Sequence, residues 1–386
     1  MTDQNYWLLP EGVDELLPPA ARQLEVMRRR VLDVFHSWGF DYVEPPIIEY
    51  VESLQVGSGS DLDLQTFKVS DQRTWRLLGV RADMTSQAAR IDAHSLGGNG
   101  VQRLCYAGTV IHANPASVLD SRVPLKAGAE IFGAPNLAAD AEVVALLLET
   151  LRCVDITRPV LVLGHMGIYR SLLSSLEISP SREPALFAAV QNKSETDIAE
   201  ILGKQQGAAL MVRLPTLMGR QDVFPQARAA LAQAPDSALK AVDALEQLAE
   251  TVQNRCPEVE LRFDFSELAG YGYHNGPVFS AYEAQQGSAL ARGGRYDGIG
   301  GAFGRARAAT GFDVNLNKLL GPAPSPEPAV WVPHSSALPG LLDAVQALRS
   351  SGEVVICALS EEDAPPKRCD RILDKAKDGW AVKPLS

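Results

Sequence analysis

Apolar residues recur at helical spacing near the start of the chain and at strand spacing directly afterwards. Between residues 24 and 38 they return every three or four positions and stop at Gly39, which predicts an amphipathic helix. Residues 40–44 then alternate between apolar and polar up to Pro45 and Pro46, which cannot donate hydrogen bonds to a neighbouring strand. The pattern therefore predicts a helix, a short strand and a proline stop.

Strand and helix patterns alternate through most of the remaining chain. Further strands are predicted at residues 66–69, 75–78, 101–106, 127–132, 160–163, 259–263, 278–282 and 289–291. Two helices are predicted, one from Ser86 onward and one over 138–151. The glycine-rich run 292–298 predicts a loop, and we expect a closing helix from there through Leu319.

Composition changes along the chain divide it into a large domain, a linker and a small domain. Between about residues 166 and 257, Ala, Leu and Gln recur in helical periods broken by prolines, which predicts a helical insertion in a strand-rich domain of residues 1–320. Residues 321–328 include four prolines and predict a stiff linker. Strand and helix patterns over 329–386 predict a small C-terminal α/β domain. The predicted fold class is α+β.

Composition and charge argue against nucleic acids and membranes as partners of this chain. The 386 residues are 46% hydrophobic, as in folded globular proteins, and carry 36 Lys and Arg against 47 Asp and Glu, a net charge of −11. Because binding to a phosphate backbone depends on clustered positive charge, this balance argues against a nucleic-acid partner. No apolar run approaches the roughly 18 residues of a membrane span, and no export signal opens the chain, so we expect no membrane partner and a cytoplasmic location.

Cysteines and histidines give no signature of a metal site. The five cysteines form no Cys-x-x-Cys pair, and the six histidines never fall at metal-ligand spacing. We therefore expect reduced thiols, no metal and no cofactor.

Three segments combine charged or hydroxyl side chains with small residues beside predicted strands. They are Arg81-Ala82-Asp83-Met84-Thr85, Ala127-Gly128-Ala129-Glu130, and Tyr271-Gly272-Tyr273-His274 together with the run 292–298. In this order, with the first helix and the proline pair, they resemble the histidyl-tRNA synthetase family over about residues 7–320. Residues 105–130 resemble its motif 2, and residues 311–319 resemble its motif 3. The resemblance implies a class II aminoacyl-tRNA synthetase-like antiparallel sheet flanked by helices.

The chain departs from that family at three positions where the synthetases place an arginine for amino-acid activation. These positions hold His112 in motif 2, Lys318 in motif 3 and Ala269 in the histidine-specific segment. Positioned cationic donors commonly contribute factors of about 10² to 10³ each to charge stabilisation. Losing all three predicts negligible adenylation, because a lysine does not reproduce the planar fork of an arginine.

The amino-acid side of the pocket implies, by the same resemblance, a site for free histidine. Asp83, Thr85 and Glu130 fall where the family holds the amino group and the imidazole, and carboxylates suit both an ammonium and a ring N–H. Lys126 replaces a glutamine of the family. The residues that the resemblance places around the ligand are Asp83, Thr85, Lys126, Glu130, Tyr273, His274, Arg292, Gly293 and Tyr296.

The runs at 271–274 and 291–300 resemble one branch of the family most closely, the synthetase-like regulatory subunits of ATP phosphoribosyltransferase. That resemblance implies a non-catalytic subunit that a short catalytic subunit requires in the first step of histidine biosynthesis. It also implies L-histidine as feedback effector, a hetero-octamer, and a homodimer through the motif 1 region, which is the first helix together with Pro45 and Pro46. Two alternatives stay open: a divergent active histidyl-tRNA synthetase, and a synthetase-derived scaffold that binds no amino acid.

Overall fold

The chain forms two compact units, Met1–Glu15 with Leu24–Leu320 and Leu16–Gln23 with Gly321–Ser386. The structure, a computed structural model, describes residues 7–55, 60–114, 120–268, 272–283, 287–322, 324–334, 339–376 and 379–385. None of the helices that it describes combines the length and apolar character needed to cross a membrane.

The first unit is built from strands and helices that alternate along the chain. Its strands are β1 (Asp41–Tyr42), β2 (Ile48–Tyr50), β3 (Phe67–Ser70), β4 (Leu77–Val80), β5 (Gln102–Thr109), β6 (Leu125–Phe132), β7 (Val160–His165), β8 (Met218–Gly219), β9 (Glu260–Asp264), β10 (Pro277–Tyr282), β11 (Ala291–Arg295) and β12 (Ala309–Asn315). Its α-helices are α1 (Ala20–Ser37), α2 (Val51–Leu54), α3 (Ser60–Gln65), α4 (Thr85–Arg90), α5 (Leu137–Cys153), α6 (Met166–Ser174), α7 (Glu183–Gln191), α8 (Glu195–Leu202), α9 (Ala208–Arg213), α10 (Val223–Ala230) and α11 (Asp236–Arg255).

Nine of these strands form one large sheet, in the order β1-β5-β6-β12-β11-β10-β7-β9-β8. The pairs β1–β5 and β7–β9 are parallel, and the other neighbours are antiparallel. The sheet is therefore mostly antiparallel.

The central strands alternate between a core face and a polar face. On β6, Ala127, Ala129 and Ile131 enter the main hydrophobic core, because alternate residues of a strand point to the same side. Phe312 of β12 enters the same core and meets the ring of Phe35 from α1 edge-on, with ring centroids 5.9 Å apart. The residues between these positions point to the opposite face, which carries the polar side chains.

Helices α6 to α11 fill the segment between β7 and β9, where the sequence predicts a helical insertion. The longest, α11, buries Ala238, Val242, Leu245 and Val252 at three-, four- and seven-residue spacing, so one apolar side faces the core. Within this fully described segment the two-residue strand β8 is the only strand.

A separate three-stranded sheet, in the order β2-β4-β3, precedes α4. Ile48 and Phe67 both pair with Val80, and Val69 pairs with Leu78, so these apolar residues share one face. Ile48 and Val69 are each 55% exposed. The sheet therefore presents a partly uncovered apolar face.

The second unit contains β13 (Ala329–Val332), α12 (Leu341–Ser350), β14 (Val355–Cys357), β15 (Cys369–Ala376) and β16 (Gly379–Pro384). The strand order is β14-β13-β15-β16, with β13 parallel to both of its neighbours. Val330, Val332, Val345 and Leu373 form its core with Leu341.

Two stretches near residue 300 differ from the sequence prediction. The first half of the predicted loop 292–298 is strand β11, because its glycines serve close strand packing: a Cβ on Gly293 would overlap the carbonyl oxygen of Gly311. The predicted closing helix is strand β12 followed by a 3₁₀ turn at Leu316–Leu319. This segment is a strand rather than a helix because it pairs with β6 on one side and β11 on the other.

Candidate functional site

Charged side chains from three strands meet on the polar face of the large sheet. Lys126 and Glu130 of β6 share this face with Asp313 of β12, because Asp313 pairs in register with the intervening Gly128. Arg292 of β11 pairs in register with Asp313 and points the same way. The alternation of core and polar residues therefore produces a row of charges above one face.

Glycines beside these charges allow other side chains to pack directly against the backbone of the sheet. A Cβ on Gly128 would lie 2.5 Å from the ring of Tyr106, and a Cβ on Gly311 would overlap the carboxylate of Glu130. Both positions therefore require glycine for close approach.

Glu130 lies at the base of the site and is 1% exposed. The hydroxyl of Tyr106 donates to its Oε1 at 2.8 Å, and the hydroxyl of Tyr296 donates to its Oε2. Burial raises the pKa of Glu130 to about 8, and the two tyrosine hydrogen bonds offset part of that rise. Burial and the adjacent carboxyl group raise the pKa of both tyrosines, so they stay protonated donors.

A lysine between two aspartates forms the charged side of the site. The Nζ of Lys126 lies 3.0 Å from Oδ1 of Asp313 and 3.7 Å from Oδ2 of Asp83. Burial disfavours the ammonium, but Asp313 and Asp83 outweigh it and raise the pKa of Lys126. The other oxygen of Asp83 accepts from the backbone N–H of Thr85 at 2.7 Å, and Thr85 Oγ1 lies 3.2 Å from the hydroxyl of Tyr106. Hydrogen bonds and ion pairs thus connect Asp83 to both ends of the site.

Three aromatic rings stand together beside Glu130. Tyr273 lies 4.2 Å from His274 and 6.1 Å from Tyr296, measured between ring centroids. His274 is buried, and its backbone carbonyl accepts a hydrogen bond of 3.0 Å from Arg170. Tyr273 is 37% exposed, so this ring lies at the mouth of the cluster.

At two of the three positions that lack the family's arginines, the side chain contacts another residue of this chain. Nε2 of His112 lies 3.0 Å from the carbonyl oxygen of Ala82, and burial together with Lys126 lowers the pKa of His112. His112 is therefore a neutral imidazole at neutral pH. The Nζ of Lys318 lies 2.8 Å from Oδ1 of Asp120. Ala269 lies outside the described residues.

The structure brings together most of the residues that the sequence places around a ligand. Asp83, Thr85, Lys126, Glu130, Tyr273, His274, Arg292 and Tyr296 lie on or beside the polar face. Gly293 does not, because it belongs to the core side of β11, where a Cβ would meet the ring of Phe279. Sequence reasoning missed Tyr106 and Asp313. The strand pattern predicted over 101–106 was a signal for Tyr106, whereas the segment that holds Asp313 was predicted to be helical. Among the described residues, no group of His, Cys, Asp and Glu is arranged to hold a metal ion.

Comparisons with known proteins cover both units. The family model described as histidyl-tRNA synthetase matches residues 12–319, and the model described as ATP phosphoribosyltransferase subunit HisZ C-terminal domain matches residues 327–383. Proteins named ATP phosphoribosyltransferase regulatory subunit from Teredinibacter turnerae and Thioalkalivibrio sulfidiphilus are 46% and 47% identical to this chain over 396 residues, with 100% of each sequence covered. The protein of that name from Pseudomonas aeruginosa is 46% identical, again over 100% of both sequences.

Solved structures show the same fold. The crystal structure of an ATP phosphoribosyltransferase regulatory subunit/histidyl-tRNA synthetase from Bacillus halodurans matches with a TM-score of 0.79 and 25% identity, over 91% of this chain and 92% of that one. Histidyl-tRNA synthetase from Nostoc sp. PCC 7120 matches with a TM-score of 0.80 and 18% identity, over 98% and 94%. The predicted class II aminoacyl-tRNA synthetase-like α+β fold is confirmed.

Proposed function

Because this chain belongs to the family of ATP phosphoribosyltransferase regulatory subunits, we propose that it binds free L-histidine above Glu130 and transmits that binding to a separate catalytic subunit. The family predicted from the sequence is confirmed, and with it the regulatory rather than catalytic character of the chain. The observation that supports the ligand site most directly is the buried Glu130 carboxyl group, held by two tyrosine hydroxyls beside the Asp83–Lys126–Asp313 ion pairs.

The site offers partners for each part of a histidine molecule. Glu130 would accept the imidazole N–H, while the rings of Tyr273, His274 and Tyr296 would enclose the imidazole. Asp83 would accept the α-ammonium. The site would thus combine aromatic rings with a few fixed polar groups, as small-molecule sites do.

The positions where the synthetases bind the ATP phosphates support a chain that binds histidine without activating it. Amino-acid activation builds negative charge on a phosphate, and stabilising it needs cations that are free to face the nucleotide. His112 is neutral, and the ammonium of Lys318 is paired with Asp120. We therefore expect no histidine-dependent exchange of pyrophosphate into ATP, whereas exchange above background would favour the alternative of an active synthetase.

We also propose that the partner is a short-form catalytic subunit, in a hetero-octamer, and that two copies of this chain pair through the motif 1 region. The uncovered apolar face of the β2-β4-β3 sheet supports the pairing, since Ile48 and Val69 stay 55% exposed in the single chain. The low density of basic residues in a chain of net charge −11 supports the expectation of no nucleic-acid partner.

Calorimetry with L-histidine tests the site. We expect Glu130→Ala to weaken binding by about ten- to a hundredfold, because the ligand loses its hydrogen bond to the carboxyl group and the hydroxyls of Tyr106 and Tyr296 lose the same partner. The same variant should still assemble with the catalytic subunit, whose activity should become less sensitive to histidine. Glu142→Gln, which breaks the ion pair between Glu142 of α5 and Arg103 of β5, is the matched control and should bind normally.

Tyr296→Phe is a milder variant for the case that Glu130→Ala does not fold. It removes one hydrogen bond to Glu130 and keeps the aromatic ring. It should weaken histidine binding by a smaller factor. Unchanged histidine affinity in both site variants, with folding confirmed by circular dichroism, would exclude this site. Absence of histidine binding to the wild-type chain would favour the alternative of a scaffold without a ligand.

A further inference from the structure

We propose that Lys126 binds the carboxylate of the ligand, so that the site selects a free amino-acid zwitterion over analogues without that carboxylate. This inference rests on the proposed function, because it takes histidine as the ligand. It concerns a different part of the molecule from Glu130, namely the backbone end of the amino acid.

The position of Lys126 supports this role. The Nζ is held between two carboxylates, at 3.0 Å from Asp313 and 3.7 Å from Asp83, and its side chain is only 17% exposed. An ammonium has three N–H donors, and of the two aspartates Asp313 alone lies within hydrogen-bond distance. Lys126 is therefore a fixed cation with donor capacity left for an incoming anion.

The charges around Lys126 favour a ligand with one positive and one negative group. Asp83 and Asp313 supply two negative charges, and Lys126 with Arg292, which pairs in register with Asp313, supplies two positive ones. A zwitterion can place its ammonium against the aspartates and its carboxylate against Lys126 and Arg292. A ligand with an ammonium but no carboxylate would instead bring a second cation next to Lys126 without an anion to balance it.

This arrangement also fits a site that holds its ligand unchanged. Activation of an amino acid requires its carboxylate to attack a phosphate, and a strong fixed ion pair to that carboxylate stabilises the ground state rather than the transition state. In a chain without positioned cations for the phosphates, tight binding of the carboxylate slows no activation step. It makes the site selective for ligands that carry a carboxylate.

Three ligands separate the possibilities in the wild-type chain. L-histidine carries both charges at its backbone end, whereas L-histidinol and L-histidine methyl ester keep the amine and the imidazole but lack the carboxylate. We expect calorimetry to give L-histidine an affinity at least about tenfold higher than either analogue, the usual size of a lost charge-assisted hydrogen bond. This comparison needs no variant and is independent of any folding defect.

Variants then assign the preference to Lys126. In Lys126→Gln, L-histidine should bind about tenfold more weakly and L-histidinol more tightly than to the wild type, because Asp83 and Asp313 become available to its ammonium. Lys126→Arg should keep the preference for histidine. Lys383→Gln, which breaks the exposed pair of Lys383 with Asp374 in the second unit, is the matched control and should behave like the wild type.

The outcomes distinguish this inference from the proposed function. Histidine binding that depends on Glu130 but does not discriminate against histidinol would overturn the role of Lys126 alone. Discrimination that persists unchanged in Lys126→Gln would overturn it as well. If L-histidine fails to bind the wild-type chain at all, both the proposed site and this inference are wrong.

Discussion

Glu130 should make the stability of the folded chain depend on pH. Its pKa is about 8 in the folded chain, while an unfolded glutamate titrates near 4.5. Between these two values the folded chain keeps a proton that the unfolded chain has released. The contribution to the free energy of unfolding is therefore fully present below pH 4.5, falls as the pH rises, and levels off above about pH 8.

Urea unfolding at pH 5 and pH 8.5 measures this contribution when the wild type is compared with Glu130→Gln, which does not titrate. Between pH 5 and pH 8.5 we expect the free energy of unfolding of the wild type to fall by about 2 to 4 kcal/mol relative to that of the variant. Glu142→Gln controls for the general effect of removing a carboxylate. A constant difference between wild type and Glu130→Gln would mean that Glu130 is ionised throughout.

Individual site residues could be predicted only as far as a motif or an alternation placed them. Glu130 and Asp83 follow from the resemblance of short motifs, and the structure connects them through Thr85 and Tyr106. Gly293 lies next to a site residue in the chain, but a strand turns successive residues to opposite faces, so it points into the core. Asp313 could be assigned to the site only once β12 was known to be a strand in register with β6.

At the scale of elements, Arg295 fixes β11 to the start of α5. Its Nη2 lies 2.8 Å from Oδ2 of Asp140, and the guanidinium also donates to the carbonyl oxygens of Ala134 and Asn136, both at 3.1 Å. The side chains of Arg295 and Asp140 are 7% and 2% exposed, so the pair is buried. Tyr296, which holds Glu130, is the next residue along the chain.

We expect Arg295→Met to lower the free energy of unfolding by about 3 to 5 kcal/mol, because it leaves the Asp140 carboxylate buried without its partner. The double variant Arg295→Met with Asp140→Leu should recover much of that loss, since both charges are then gone. Urea unfolding of the two single variants and the double variant measures the coupling. Strictly additive losses would show that the two side chains do not depend on each other.

Local patterns identified most elements but failed where pairing decides the conformation. The helices α1 and α5 and the strand β6 lie close to their predicted positions. The sequence shows a helical period in α1, a long apolar run in α5 and alternation in β6. The segment 309–315 was expected to be helical, yet it lies between β6 and β11 and completes their hydrogen bonds. Glycines in β11 look like a loop in the sequence because the strand contacts that require them come from distant residues.

At the scale of the whole molecule, the proposed regulation requires histidine and the catalytic subunit to act on one equilibrium. A ligand shifts such an equilibrium only by the difference between its affinities for the two states. A coupling of about 1 to 3 kcal/mol, or five- to 150-fold, is typical of allosteric proteins and sufficient for feedback. The affinity of the chain for histidine therefore has to change when the catalytic subunit is bound.

Thermodynamic reciprocity makes that requirement measurable. If histidine changes the affinity of this chain for the catalytic subunit by some factor, the catalytic subunit changes the affinity for histidine by the same factor. Calorimetric titrations give the affinity for histidine of the free chain and of the complex. We expect the ratio of these two affinities to equal the factor by which saturating histidine changes the affinity between the subunits. Glu130→Ala should bind histidine more weakly in both titrations, and its two factors should again equal each other. Inhibition by histidine combined with equal affinities in the free and assembled chain would place the effector site elsewhere in the complex.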